Sequence, residues 1–145
     1  MTGSLNSMTY LNPNGFINKI KALFKARHTA NIAVQYEIYG VRTFDFHIDF
    51  SKYGKAYFKY EGVAYETFSV YSILNYLNKK KGVQVRLVLE GEGKEERFCN
   101  YCSILEKIYT NINFFGGYVE KTKRQIYAFN HTLLFPKINW VKKLR

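Results

Sequence analysis

The sequence predicts an α/β fold, a partial (half) TIM-barrel-like β/α domain, and three observations carry that prediction. Residues 41–50 and 83–90 alternate apolar and polar side chains at period two, which a strand requires and a helix does not tolerate. The segments between them carry apolar residues at three- and four-residue spacing, so the chain runs strand, hairpin, helix, strand, helix, strand. A full eight-stranded β/α barrel takes about 250 residues, and this chain, with 145, holds about half of one. Half a barrel leaves sheet edges open, and an open edge is a template for another chain.

Each element has its own justification. Residues 1–13 are small, polar and turn-forming, as expected of a loop that follows a first barrel strand, and that strand itself is read as absent. A helix starts at Asn14 or Gly15, with Phe16, Ile17, Ile20, Leu23 and Phe24 on one apolar stripe. A second helix covers 29–39 and stops at Gly40, which suits a left-handed C-terminal turn. In 41–50, Arg42, Phe44, Phe46, Ile48 and Phe50 point to one side and Thr43, Asp45, His47 and Asp49 to the other, giving a mostly apolar face and a titratable one. Residues 51–54 turn the chain, and 55–60 return as the second arm of a hairpin.

Thr67 or Ser69 caps the next helix, which runs to about Lys81 with Val70, Ile73, Leu74 and Leu77 as its buried stripe and Gly82 closing it. The run 83–90 is the clearest inner strand; it places Arg86 and Glu90 on one face and ends in Gly91-Glu92-Gly93. A helix over about 94–110 follows, then strands at 113–120 and 125–130. Residues 1–132 therefore read as one domain and 133–145 as a basic C-terminal tail, with no internal repeat or linker.

Composition limits the function classes. At 47% hydrophobic and 18% aromatic, the chain can bury a core and is not a disordered tail. Twenty-two Lys and Arg against eleven Asp and Glu give a formal charge of +11, which attracts anionic partners such as nucleic acid or phospholipid head groups, or simply keeps a very aromatic chain soluble. The abundance of Tyr, Phe, Asn, Lys and Ile suggests an AT-rich coding genome, as in many phages and viruses. Cys99 and Cys102 form a lone C-x-x-C with only His28, His47 and His131 to complete a zinc site, so they read as reduced thiols on one helix. No apolar run is long enough to cross a membrane and no signal peptide is seen, so the expected location is the host cytoplasm or a virion.

Four short segments carry the chemistry. Residues 3–10 read Gly-Ser-Leu-Asn-Ser-Met-Thr-Tyr, 39–47 read Tyr-Gly-Val-Arg-Thr-Phe-Asp-Phe-His, 54–62 read Gly-Lys-Ala-Tyr-Phe-Lys-Tyr-Glu-Gly, and 85–90 read Val-Arg-Leu-Val-Leu-Glu. In this order they resemble the phosphatidylinositol-specific phospholipase C X domain of the PLC-like phosphodiesterase superfamily. The first is similar to its G-[ST]-H-[DN]-S-M-T-Y loop and the second to its A-G-[VI]-R-x-[FL]-D-[IL]-R strand. The third looks like the hairpin that carries a catalytic histidine before a glycine, and the fourth like the V-I-L-S-[IL]-[EK] strand.

The resemblance implies a general-base histidine on the loop, a general-acid histidine on the hairpin, and acidic or arginine side chains between them that hold phosphate, a histidine tautomer or calcium. Carried over, the base position is Leu5 and the acid position Glu61, so both catalytic histidines are missing. Each positioned proton-transfer group contributes about 100- to 10,000-fold, and no catalytic residue is expected. Asn6 and Asp45 agree with the family, His47 stands where it has Arg or Asp, and Glu90 agrees with an acidic calcium-branch residue. What remains is a vestigial pocket of Asn6, Asp45, His47, Arg86 and Glu90, with no required cofactor and at most a weak vestigial calcium site.

Plainer roles stand beside these. Asp45 and His47 make a hydrogen-bonded pair on a polar barrel interior, Asn6 stabilises a turn, and Glu90 with Arg86 forms a buried ion pair. The expectation is therefore a catalytically inactive phospholipase C-like domain that acts as a binding or structural assembly protein of a phage or virus, with other protein subunits as partners. Two alternatives remain open: an active phosphodiesterase in which Glu61 or His47 is a relocated acid, and a binder of inositol phosphate or anionic lipid.

Overall fold

β2 (Thr43–Phe50) is the strand around which the rest is arranged, and every one of its residues is buried. The computed structural model describes residues 1–5, 7–11, 13–22, 28, 30–65, 70–130 and 138–145, with 16, 21 and 22 by backbone only. On one side of β2 runs β5 (Gln84–Leu89), parallel along its whole length, followed by β6 (Asn113–Val119). On the other side β2 is shared. Its first residues pair in parallel with β1 (Thr2–Ser4), and its last with the antiparallel β3 (Ala56–Tyr60), which continues into β4 (Val63–Ala64). β7 (Asn139–Val141) pairs in parallel with β1. Among the described residues the parallel strands thus lie in the order β7-β1-β2-β5-β6, a mixed α/β fold whose sheet curls into a half barrel.

The helices sit where the crossovers of parallel strands require them. α1 (Gly15–Ala22) and α2 (Ile32–Glu37) lie between β1 and β2, α3 (Val70–Asn78) leads into β5, and α4 (Glu95–Ile108) joins β5 to β6. The apolar face of β2, Phe44, Phe46, Ile48 and Phe50, joins Val85, Leu87 and Leu89 of β5, Val70, Leu74 and Leu77 of α3, and Phe98, Cys102 and Leu105 of α4 in one core. Each such large side chain contributes about 1.5–3 kcal/mol on burial, so the alternation in β2 and β5 secures the sheet's register.

Four expectations need correction. The first strand is present: Thr2–Ser4 lies inside the sheet, between β2 and β7. Residues 125–130 do not form a strand. They reach β6 through one bridge, Tyr118 to Gln125, because Gly116 and Gly117, both at positive φ, bend β6 out of regular register. The basic end is not a free tail. Its Lys142, Lys143 and Arg145 are exposed, but Asn139–Val141 adds a strand and Leu144 is buried in the core.

The fourth concerns α1, whose predicted stripe faces outward at Ile17 (69% exposed) and Ile20 (44%). The helix is oriented instead by Asn18, whose amide donates to Asn14 O and whose oxygen accepts from Ala64 N of β4. The Leu23 and Phe24 part of that stripe, and the Thr67 and Ser69 caps, lie outside the described residues. α2 starts later than expected, capped by Asn31, whose Oδ1 accepts from Val34 N at 2.9 Å; Thr29 is likewise outside the described residues.

Candidate functional site

Alternation in β2 turns Thr43, Asp45, His47 and Asp49 away from the helices, onto the concave face of the sheet. The parallel register sets Asp45 beside Arg86, and β5 and β6 end just before Glu90 and Glu120. These side chains meet on the concave face, Asp45, His47 and Arg86 from within β2 and β5 and Glu90 and Glu120 from just past the C-terminal ends of β5 and β6. His47 Nε2 lies 2.8 Å from Asp45 Oδ2, and His47 Nδ1 lies 2.6 Å from Glu90 Oε1 and 3.9 Å from Glu120 Oε2. Arg86 Nε donates to Asp45 Oδ1 at 2.8 Å, and its guanidinium carbon stands 4.1 Å from the centre of the Trp140 ring. The edge of Tyr60, 5.0 Å between ring centres, closes the other side of His47.

The charges follow from this geometry. Burial alone would favour a neutral imidazole, but the charge of Asp45, its hydrogen bond and those of Glu90 outweigh it and push the pKa of His47 up to about 9. Burial would likewise favour a protonated Asp45; the cationic His47 and Arg86 instead hold its carboxyl well below the usual range. The centre is therefore an imidazolium between two carboxylates, with both ring protons already donated. A small cleft of about 10 Å³ opens beside it, lined by Met8, Thr9, Asp45, His47, Tyr60 and Tyr65 among others.

A second cluster sits one turn of pleat further along β2. Asp49 accepts from Lys94 Nζ (2.8 Å), Lys59 Nζ (3.4 Å) and Tyr57 OH (3.2 Å); burial would raise its carboxyl, but the Lys94 and Phe50 N hydrogen bonds and the lysine charges outweigh it and leave it below the usual range. Gly91 makes room for it, since a Cβ there would lie 2.2 Å from Asp49 Oδ1. The alternation identified Asp49 as a polar residue facing inward; its partners come from β3 and the start of α4, which spacing alone does not connect.

The loop after β1 lies against this site. Ser4 pairs with Phe44, so Leu5 is level with Asp45, and Ser7 Oγ accepts from Asp45 N at 2.8 Å while donating to Ser4 O at 2.7 Å. Asn6 is outside the described residues. Glu61 is exposed in the turn between β3 and β4, at φ 47°, where its carboxylate accepts from Tyr60 OH. Of the predicted pocket, Asp45, His47, Arg86 and Glu90 converge. The expected Arg86–Glu90 pair does not form, because Arg86 is drawn to Asp45 across the strand pair and Glu90 to His47.

Sequence reading missed Glu120, Tyr60 and Trp140. Glu120 ends its strand as Glu90 ends its own, and that repeated position was the available signal; Trp140 lay in the segment read as a tail.

The vestigial calcium site finds no support in the donors. Asp45 spends both oxygens on cations and Glu90 faces an imidazolium, whereas calcium asks for six to eight oxygens. His47, Glu90 and Glu120 do place one ligand atom each within 4.8 Å of one another, but with Nδ1 among them the set suits a transition ion rather than calcium, and only once that nitrogen has lost its proton. Both cysteines are free: burial pushes the two thiols up, and Cys99 Sγ donates to Ile126 O at 3.2 Å. Among the described residues no helix is long and apolar enough to cross a membrane. No family model, no curated protein and no solved structure matches the chain.

Proposed function

We propose that the chain is a catalytically silent binding domain of the PLC-like phosphodiesterase type, which holds an oxyanion without cleaving it. One observation carries this reading: both ring nitrogens of His47, the histidine on the concave face, are committed to carboxylates, so the ring has no lone pair with which to accept a proton. Leu5, which follows β1 level with Asp45, offers none either. Arg86, by contrast, uses only Nε on Asp45, and its two Nη groups have no acceptor among the described residues. A planar cation with spare donors beside an aromatic ring is suited to a phosphate group.

Turnover of phosphatidylinositol and of a generic phosphodiester, compared with a Leu5→His plus Glu61→His double variant, tests the silence of the site. Turnover by the natural chain equal to that of the double variant would overturn it. Calorimetric titration with inositol phosphate tests the binding: Arg86→Gln should weaken it at least about tenfold, since hydrogen bonds to charged groups are worth about 1.5–3 kcal/mol. Equal affinity in Arg86→Gln would remove Arg86 from the site.

A second reading, assembly with other protein subunits, rests on β7, the three-residue strand that ends the sheet. The β6 side offers less, because the amides of Ile126 and Tyr127 already donate to Gly117 O. Mass photometry separates the readings: a monomer at all concentrations, with no partner bound, speaks against assembly.

A further inference from the structure

Away from the carboxylate cluster, a second imidazole ties three segments together. His28 is fully buried, and its Nδ1 accepts the backbone amide of Leu144 at 2.8 Å. Its Nε2 lies 2.7 Å from Leu5 O and 3.1 Å from Ser4 Oγ, and its own amide donates to Thr9 Oγ1 at 2.9 Å. An amide nitrogen has only a proton to give, so Nδ1 must present its lone pair. The single ring proton therefore sits on Nε2 and goes to the Leu5 carbonyl. The ring is held neutral by its partners, and a second proton on Nδ1 would set one N–H against another.

What Leu144 anchors is small. Besides the His28 bond, the segment accepts from Ala30 N at Leu144 O and from Tyr39 OH at Arg145 O, and β7 before it pairs three residues with three of β1, accepts from Leu5 N at Val141 O and stands at the end of the sheet. Trp140 in β7 covers Arg86, and a Cβ on Gly3 would lie 2.9 Å from that indole, so β1 and Trp140 are in close contact.

We propose that His28 is an acid-operated clasp: protonation of Nδ1 breaks its bond to Leu144, frees β7 from β1, and uncovers the β1 edge together with the face of Arg86. This lies outside the functional reading above and does not depend on it.

The groups around the ring set where the clasp acts. From the β1 loop the ring faces Ser4 and Leu5, while Thr9 takes the His28 backbone amide, none of them charged near neutrality. From the C-terminal segment come Leu144 and the exposed Lys142, Lys143 and Arg145. From the segment that follows His28 comes Gln35, which donates to Ser7 O and Ala30 O. No described carboxylate bonds the ring to hold a second proton. Burial lowers the pKa of His28, with the Leu5 hydrogen bond opposing it. The clasp therefore opens below the ordinary histidine range.

The test uses the chain's single tryptophan, which is Trp140 itself. As pH falls from about 7.5 to about 4.5, Trp140 emission should shift to the red reversibly, and cleavage by trypsin after Lys142 and Lys143 should rise. His28→Gln, which can accept from Leu144 and donate to Leu5 but cannot titrate, should abolish both changes. Hydrogen exchange at Leu144 in the natural chain serves if that variant does not fold: its protection should fall about tenfold per pH unit below the midpoint. A Trp140 transition that persists in folded His28→Gln, or Leu144 protection that stays flat while the His28 ring titrates by NMR, would overturn the clasp.

Discussion

At the residue scale, the candidate site is defined by one imidazolium, and its removal should be costly. His47→Gln leaves Asp45 and Glu90 as buried acids with Arg86 as the remaining close cation. Removing one partner of a buried pair costs about 3–5 kcal/mol, so the unfolding free energy of His47→Gln measured in urea should fall by that amount. Adding Asp45→Asn to it should cost less than the sum of the two single changes, because the groups share a bond; strict additivity would mean that they do not act as a pair. Much of this was legible beforehand. The alternation of 41–50 put Asp45 and His47 on one face, and the same rule put Arg86 and Glu90 together. The partner choice was not legible, because it depends on the lateral register of β2 against β5, which sequence period does not encode.

At the element scale, period predicted the strands and helices that carry large apolar faces and failed where another force placed them. β2, β5, α3 and α4 lie close to their expected positions because each buries a stripe that only one rotation satisfies. α1 has a stripe too, yet Asn18 docks it on β4 by hydrogen bonds, leaving Ile17 and Ile20 outside. β1 and β7 are three residues each, too short to show a period, and long-range pairing rather than local pattern creates them. The same reasoning distinguishes core from surface in the well-formed elements. Phe46→Ala in β2 should cost about 3–5 kcal/mol. Ile104→Lys and Ile108→Lys, on the exposed side of α4, should stay within about 0.5 kcal/mol of the natural chain. A loss above that at either isoleucine, read by thermal unfolding, would mean that this face of α4 is covered.

At the scale of the whole molecule, two buried histidines act on stability with opposite sign, and together they set its pH optimum. His47 binds its proton more tightly folded than unfolded, so its contribution is complete below the unfolded value near 6.5 and is lost as pH rises through about 9. That interval corresponds to about 3 kcal/mol. His28 binds its proton less tightly folded, so its contribution is complete above about 6.5 and is lost as pH falls towards its lowered folded value. Asp45 and Asp49, both depressed, lose theirs only at lower pH, below their ordinary range. Stability measured by urea unfolding should therefore peak close to pH 6.5 and decline on both sides. Each limb has its own residue: His47→Gln should flatten the alkaline side while lowering the whole curve, and His28→Gln should flatten the acid side down to the carboxylate range. A curve that stays level from about pH 5 to about pH 9, or limbs that survive both substitutions, would show that neither ring is held in the charge state its neighbours impose.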